Sequence, residues 1–186
     1  MKKNGFTLIE LLITLSISSI LVTLSTPLFS EFYKKHKASQ EINNHFSLFK
    51  YARYSAASSA SYVSVCAMAM DNLCGDNWSN GLIIFEDNNV NGVIDDQEKV
   101  LRVYKRTPTN STITLRASLN TKFINYTPTG TSFRRNASGN LVYCENEGDT
   151  TNAKALVFSR SGRAYLAIDK NNNGIPENGS GKDVTC

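Results

Sequence analysis

The sequence predicts an α+β protein in which one long N-terminal helix packs on a C-terminal antiparallel β-sheet head. Three observations lead there. A short basic N-terminus is followed by an apolar run of helix length; an amphipathic pattern with three- and four-residue spacing continues it; and the rest alternates brief apolar runs with turns rich in Asn, Asp and Gly. With 186 residues, 41% of them hydrophobic and 19% charged, the chain is one domain or a domain with an anchor. That composition excludes a wholly disordered chain and a multispanning membrane protein. A net charge of +4, two units of it from Lys2 and Lys3, is too mild to imply a nucleic-acid partner by itself. Two histidines, His36 and His45, exclude a histidine-rich metal centre.

Met1–Gly5 is basic and polar, and Phe6–Leu24 is mostly large and apolar. The run approaches the ~20 residues that cross a bilayer as a helix. The preceding lysines favour a cytoplasmic N-terminus and an exported remainder. A cleaved secretory signal needs a small-x-small site after the run, and Leu24-Ser25-Thr26-Pro27-Leu28 supplies a poor one. Glu10 sits inside the apolar stretch, where comparable charged residues cost about 2.5–3.5 kcal/mol at a helix centre. A cut after Gly5 would put the new α-amino group of Phe6 one helical turn from Glu10 and give that carboxylate a partner.

Past Pro27, Ile42, Phe46, Phe49, Ala52 and Ala56 recur at helical spacing with Glu41, Lys50 and Arg53 on other faces. One helix is predicted from Phe6 to about Ser58, its first half apolar all round and its second buried on one side. Strands are predicted at 62–67, 81–86, 99–104, 112–117, 123–126, 141–144, 155–159 and 163–169. The expected divisions are 1–5 as leader, 6–29 as the membrane and filament-core half of the helix, 30–58 as its amphipathic half, and 59–186 as the head.

Cys66, Cys74, Cys144 and Cys186 all fall in the part to be exported, and no Cys-x-x-Cys occurs. Zinc and thioredoxin-like readings are therefore weak. Of three possible pairings, proximity favours Cys66–Cys74 as a local clip and Cys144–Cys186 as a tie on the C-terminus, in an oxidising compartment.

The residues Lys2-Lys3-Asn4-Gly5-Phe6-Thr7-Leu8-Ile9-Glu10-Leu11 resemble the class III signal sequence of type IV pilins and type II secretion pseudopilins. The resemblance implies cleavage between Gly5 and Phe6 by a prepilin peptidase, N-methylation of Phe6, and an assembly role for Glu10. Pro27 resembles the proline common in the pilin helix, where it would kink or locally melt the ladder. In the head, Trp78–Phe85, Val100–Val103, Ser161-Gly162-Arg163 and the terminal cysteine resemble the H-type pseudopilins and FimT/FimU-type minor pilins. This implies a structural minor pilin, held in the inner membrane with a periplasmic head and then assembled with other pilins at a pilus tip or initiation complex. A type II secretion pseudopilin is the first alternative and a DNA-binding minor pilin the second.

Two further patterns bear on chemistry. Asp87, Asn89, Asn91, Asp95 and Glu98, with Gly92 at position six, fit the twelve-position calcium loop. The flanks read as strands, however, and Asn-Gly is also the ordinary chemistry of a hairpin turn, the reading preferred here. Asp169-x-Asn171-x-Asn173-Gly174 repeats the first half, with Ser180 where a bidentate carboxylate is needed. No cofactor is therefore expected, calcium being the one candidate. Arg160 and Arg163 could present guanidinium groups to phosphate oxygens, with Arg134-Arg135 as neighbours. In DNA-binding FimT-like pilins the contact lies on Gly-Arg-x-Arg; here the motif is Gly162-Arg163-Ala164-Tyr165, so the second arginine is missing and surface arginines are the preferred reading. Catalytic residues are not expected, because both histidines lie on the helix and no nucleophile–base pair is suggested.

Overall fold

The structure is a computed structural model and describes residues 5–69, 72–118, 122–132 and 138–186, apart from the side chains at 24 and 26–28. Its chain divides into two compact units, 1–37 and 38–186. Helix α1 (Leu8–Ser59) contributes to both and continues through position 27 without interruption. It stops where Ala60 takes a positive φ of 51° and the Ser61 N–H reaches back to the Ala56 carbonyl at 3.3 Å. That is the closing geometry of a Schellman motif.

Within the second unit the helix buries Ala38, Ile42, His45, Phe49, Ala52 and Ala56 along one stripe. Among the described residues nine strands follow: β1 (Val63–Met68), β2 (Cys74–Gly75), β3 (Gly81–Glu86), β4 (Val100–Lys105), β5 (Thr112–Ala117), β6 (Phe123–Tyr126), β7 (Gly139–Cys144), β8 (Lys154–Phe158) and β9 (Ala164–Leu166). A 3-10 turn at Trp78–Asn80, capped by the Asn77 side chain, leads into β3. All pairings between strands are antiparallel. They form two sheets, where the sequence suggests one. β2, β1, β3 and β4 run in that order, with β6 also on β1, and β5-β7-β8-β9 make the second sheet.

Both faces of β1, β3, β7 and β8 are covered, which explains why these strands read as continuous apolar runs rather than alternating ones. Val63, Val65, Leu82, Ile84, Leu141 and Leu156 face the helix stripe in one core. Each large side chain so buried contributes about 1.5–3 kcal/mol. On the outer face of the first sheet, Cys66, Met68, Ile83 and Phe85 lie under Cys74, Ile94 and Phe123. On the outer face of the second, Val142, Cys144 and Ala155 lie under Val184, Ile175 and Cys186 of the C-terminal tail. Ile94 and the tail residues Ile175, Val184 and Cys186 come from polar segments that follow strands, while Cys74 and Phe123 belong to β2 and β6.

Candidate functional site

At the N-terminal end Gly5 and Phe6 are exposed, Phe6 by 93%. Thr7 is the helix N-cap. Its N–H donates to Glu10 Oε2 at 2.8 Å, its hydroxyl donates to the same oxygen at 2.9 Å, and the Glu10 N–H returns to Thr7 Oγ1 at 3.4 Å. This is a capping box, which satisfies two N–H groups that a helix start leaves without partners. The sequence reading gave Glu10 to the Phe6 amino group and missed Thr7, although Thr-x-x-Glu ahead of an apolar run is the signal for it. Downstream, the hydroxyls of Thr14, Ser16, Ser18, Ser19 and Thr23 each turn back to carbonyls of the preceding turn, so the polar residues of the apolar run place no unpaired hydroxyl outward. Among the described residues no helix is long and apolar enough to cross a membrane.

The four cysteines form Cys66–Cys74 and Cys144–Cys186, with Cα atoms 5.5 and 5.8 Å apart. The first joins β1 to β2; the second holds the chain's last residue against the end of β7.

Asp87, Asn89, Asn91, Asp95 and Glu98 are brought together between β3 and β4, and their oxygens are already engaged. Asp87 is fully buried and accepts from the Ser64 hydroxyl at 2.5 Å and from the Asn91 and Gly92 N–H groups at 3.0 Å. Asn89 and Asn91 both donate side-chain N–H to Asp95, while Glu98 accepts from the N–H groups of Asn88 and Asp95. Gly92 is required here. Its φ is +74°, and a Cβ would stand 2.2 Å from the Phe123 ring. The tail repeats the plan, with Asp169 accepting from Asn173 and Gly174, and Asn171 and Asn173 both donating to Asp183. Asp183 thus takes the place of Asp95, and Glu177, which accepts from the Lys170 and Asn171 N–H groups, takes that of Glu98, so neither carboxylate stands at Ser180. Among the described residues no group of three or more His, Cys, Asp or Glu is arranged to hold a metal.

Arg160 and Arg163 flank the turn between β8 and β9 and are exposed. Gly162 at its apex has a φ of +74° and packs so closely that a Cβ would lie 2.1 Å from the Gly130 carbonyl. Arg134 and Arg135 lie outside the described residues.

Sequence reasoning missed the buried polar centre. Arg106 is 3% exposed; it donates to the carbonyls of Ser111 (2.9 Å) and Ser79 (3.3 Å), to Thr109 Oγ1 and to Ser111 Oγ. Glu41 of the helix lies 3.5 Å from its Nε, and the Tyr104 hydroxyl donates to the same carboxylate. His45, fully buried, donates Nδ1–H to the Glu41 carbonyl and packs edge-on to Tyr104, leaving Nε2 without a hydrogen bond. Burial lowers the His45 pKa and raises that of Tyr104. Burial, with the neighbouring Glu145, pushes Tyr143 up to about 12. A lone arginine after a strand carries no sequence signal of such a role. The cluster contains no nucleophile beside a base and joins helix to sheets.

Residues 41–162 match the family described as type II transport protein GspH, and residues 1–26 match the prokaryotic N-terminal methylation motif. The chain belongs to the GspH family. The family match begins on the buried half of α1 and ends at Gly162, so the GspH-type region takes in both sheets' centres and leaves the disulfide-tied tail beyond it. Two crystal structures of the type IV minor pilin FimU from Pseudomonas aeruginosa, in different space groups, are similar to this GspH-family chain. Both are 24% identical to it, with TM-scores of 0.53 and 0.51. The matches cover 75% and 72% of this chain and 92% of each FimU chain, and they show a shared fold. No curated relative matches. Family and fold are those of structural pilins, not of enzymes. Motif and family together mark a protein that is membrane-anchored and then assembled into a filament with other pilins.

Proposed function

We propose that this chain is a structural minor pilin of a type IV pilus, cut after Gly5 by prepilin peptidase, N-methylated on Phe6 and inserted into a tip or initiation complex. The observation that carries the reading is the methylation motif at residues 1–26 joined to a GspH-type head. In this reading 6–29 holds the subunit in the inner membrane and later lies in the filament core, 30–58 carries the periplasmic head 59–186, and Pro27 marks the passage between the two halves. Once Phe6 is the terminus, its amino group lies one turn from Glu10. The carboxylate then joins opposite charges in a low-dielectric setting, within the chain or between neighbours. Oxidised cysteines agree with a head outside the cytoplasm.

The family's own description favours a second reading, a pseudopilin of type II secretion. Both predict that Gly5→Val blocks maturation, seen as a precursor of slightly lower mobility that is absent from sheared filaments. Deleting the chain from its host separates them. Loss of surface pili with secretion intact supports the pilus reading, and retained pili with secretion lost replaces it by the secretion reading. DNA capture through Arg160 and Arg163 ranks behind both. Binding of duplex DNA that falls steeply with salt and disappears in Arg160→Ala and Arg163→Ala would bring it forward.

A further inference from the structure

A cleft of about 450 Å³ opens in the second unit between the exposed side of α1 and two turns, 127–130 and 159–163. Three cations converge on it, Lys50, Arg53 and Arg163, and none of the described residues lining it is a carboxylate. The cleft is built rather than accidental. Arg53 Nε donates to the Gly130 carbonyl at 2.7 Å, which turns the rest of its guanidinium toward the opening. Gly162 seats against that same carbonyl, so the turn carrying Arg163 is fixed to the turn that orients Arg53. Lys50 Nζ lies 5.2 Å from the centre of the Phe46 ring. No hydrogen bond or ion pair engages the Arg163 side chain among the described residues. Tyr54, 70% exposed, stands at the rim, and the half-buried Phe46 supplies an apolar wall.

We propose that this cleft docks an acidic segment of a different subunit in the same filament. Carboxylates of the partner pair with Arg163, Arg53 and Lys50, and an apolar side chain lies on Phe46 and Tyr54. The inference rests on the filament reading above. Charge complementarity selects the partner: a concave site with three cations and no acid among the described residues lining it attracts carboxylates and repels any basic surface. The planar fork of Arg53 and Arg163 suits carboxylates bidentately. The aromatic wall favours a protein segment over a duplex backbone, which offers phosphates and sugar but no side chain to cover Phe46.

The test places a benzoylphenylalanine photocrosslinker at Tyr54 in the full chain in its host and identifies the crosslinked peptide by mass spectrometry. The expected product is a peptide of another filament subunit that contains Asp or Glu. Its yield should fall about tenfold, the equivalent of about 1.4 kcal/mol, in the Lys50→Glu/Arg163→Glu variant. Both residues are exposed, so fold is preserved, and mobility on a non-reducing gel checks that the disulfides remain. Arg53 is left intact because its bond to Gly130 holds the turn. A peptide without carboxylates, an adduct with DNA or with a second copy of this chain, the absence of any adduct, or a yield indifferent to charge reversal overturns the proposal. Sheared filaments are probed in parallel. If the wild-type chain is in them while the crosslink fails, only the docking proposal falls; if it is not, the filament reading falls with it.

Discussion

Replacing Arg106 by Met tests whether the buried polar centre holds the head together. The guanidinium side chain is 1% exposed, and methionine refills most of its volume without its charge. The change removes four hydrogen bonds and an ion pair to Glu41. It leaves the Ser79 and Ser111 carbonyls without this donor, at about 1–3 kcal/mol for each that stays buried and unsatisfied. Glu41 keeps the Tyr104 hydroxyl and is partly exposed, so its own penalty is smaller. Breaking one partner of a buried pair costs about 3–5 kcal/mol, and the two routes agree on that range. The assay is urea unfolding of Ala38–Cys186 at pH 7, with the slope of the transition compared so that a change in midpoint reads as stability. Arg106→Lys keeps the charge and loses the fork, and should also be destabilised. A loss below about 1 kcal/mol in Arg106→Met, or a gain in stability, refutes the reasoning: desolvating the arginine would then have outweighed its bonds.

Four further outcomes follow from the same structure. His45 is kept neutral by burial, so the unfolded state, with a pKa near 6.5, binds its proton more readily than the folded state. Stability is therefore present above pH ~6.5 and lost as pH falls below it, and urea midpoints at pH 7.5 and 5 should differ less in His45→Leu than in wild type. Removing Cys144–Cys186, which closes a 42-residue separation, should cost about 4 kcal/mol, against about 2.5 for the eight-residue Cys66–Cys74, with thermal unfolding of the two Cys→Ser pairs ranking them. Gly162→Ala forces a Cβ against the Gly130 carbonyl and should lower stability by well over the ~0.5 kcal/mol typical of a surface change, read from the urea midpoint. Because the oxygens of Asp87, Asn91 and Glu98 already hold backbone N–H groups, EDTA should leave the melting temperature unchanged. A rise of several degrees with calcium would show the loop to be a metal site after all.

The strand centres were legible because apolar runs bounded by Asn-Gly chemistry have few other ways to fold. Gly81–Glu86, Thr112–Ala117 and Phe123–Tyr126 fall at their predicted bounds. The short β2 was not legible: Cys74–Gly75 has no apolar pattern and is paired with β1 beside the Cys66–Cys74 bond. The division into two sheets was hidden for a different reason. β4 and β5 are consecutive but lie in different sheets, and the chain between them is held by the buried Arg106, which bonds Thr109 and Ser111. At the N-terminus the methylation motif was legible, since a contiguous motif does not depend on folding. Thr7 was overlooked because Glu10 already had an explanation.

The two Asn/Asp-rich segments take on a common meaning once the faces of the sheets are considered. A head of this size has one helix to cover two sheets, and that helix can protect only their inner faces. Each outer face is instead closed by a polar loop whose apolar residues are few: Ile94 over Phe85 and Ile83, Ile175 and Val184 over Val142 and Ala155. Such a loop gains too little from burial to offset its own ordering entropy, at about 1–2 kcal/mol per residue. Side-chain carboxylates and amides that take up backbone N–H groups supply the remainder locally. Cys144–Cys186 then ties the tail down at its end, whereas Cys66–Cys74 joins β1 to β2 beneath the other loop. Repetition of the Asp-x-Asn-x-Asn-Gly pattern is accounted for by this shared problem. It also makes the fold depend on an oxidising compartment, where a head carried beyond the membrane would complete its structure.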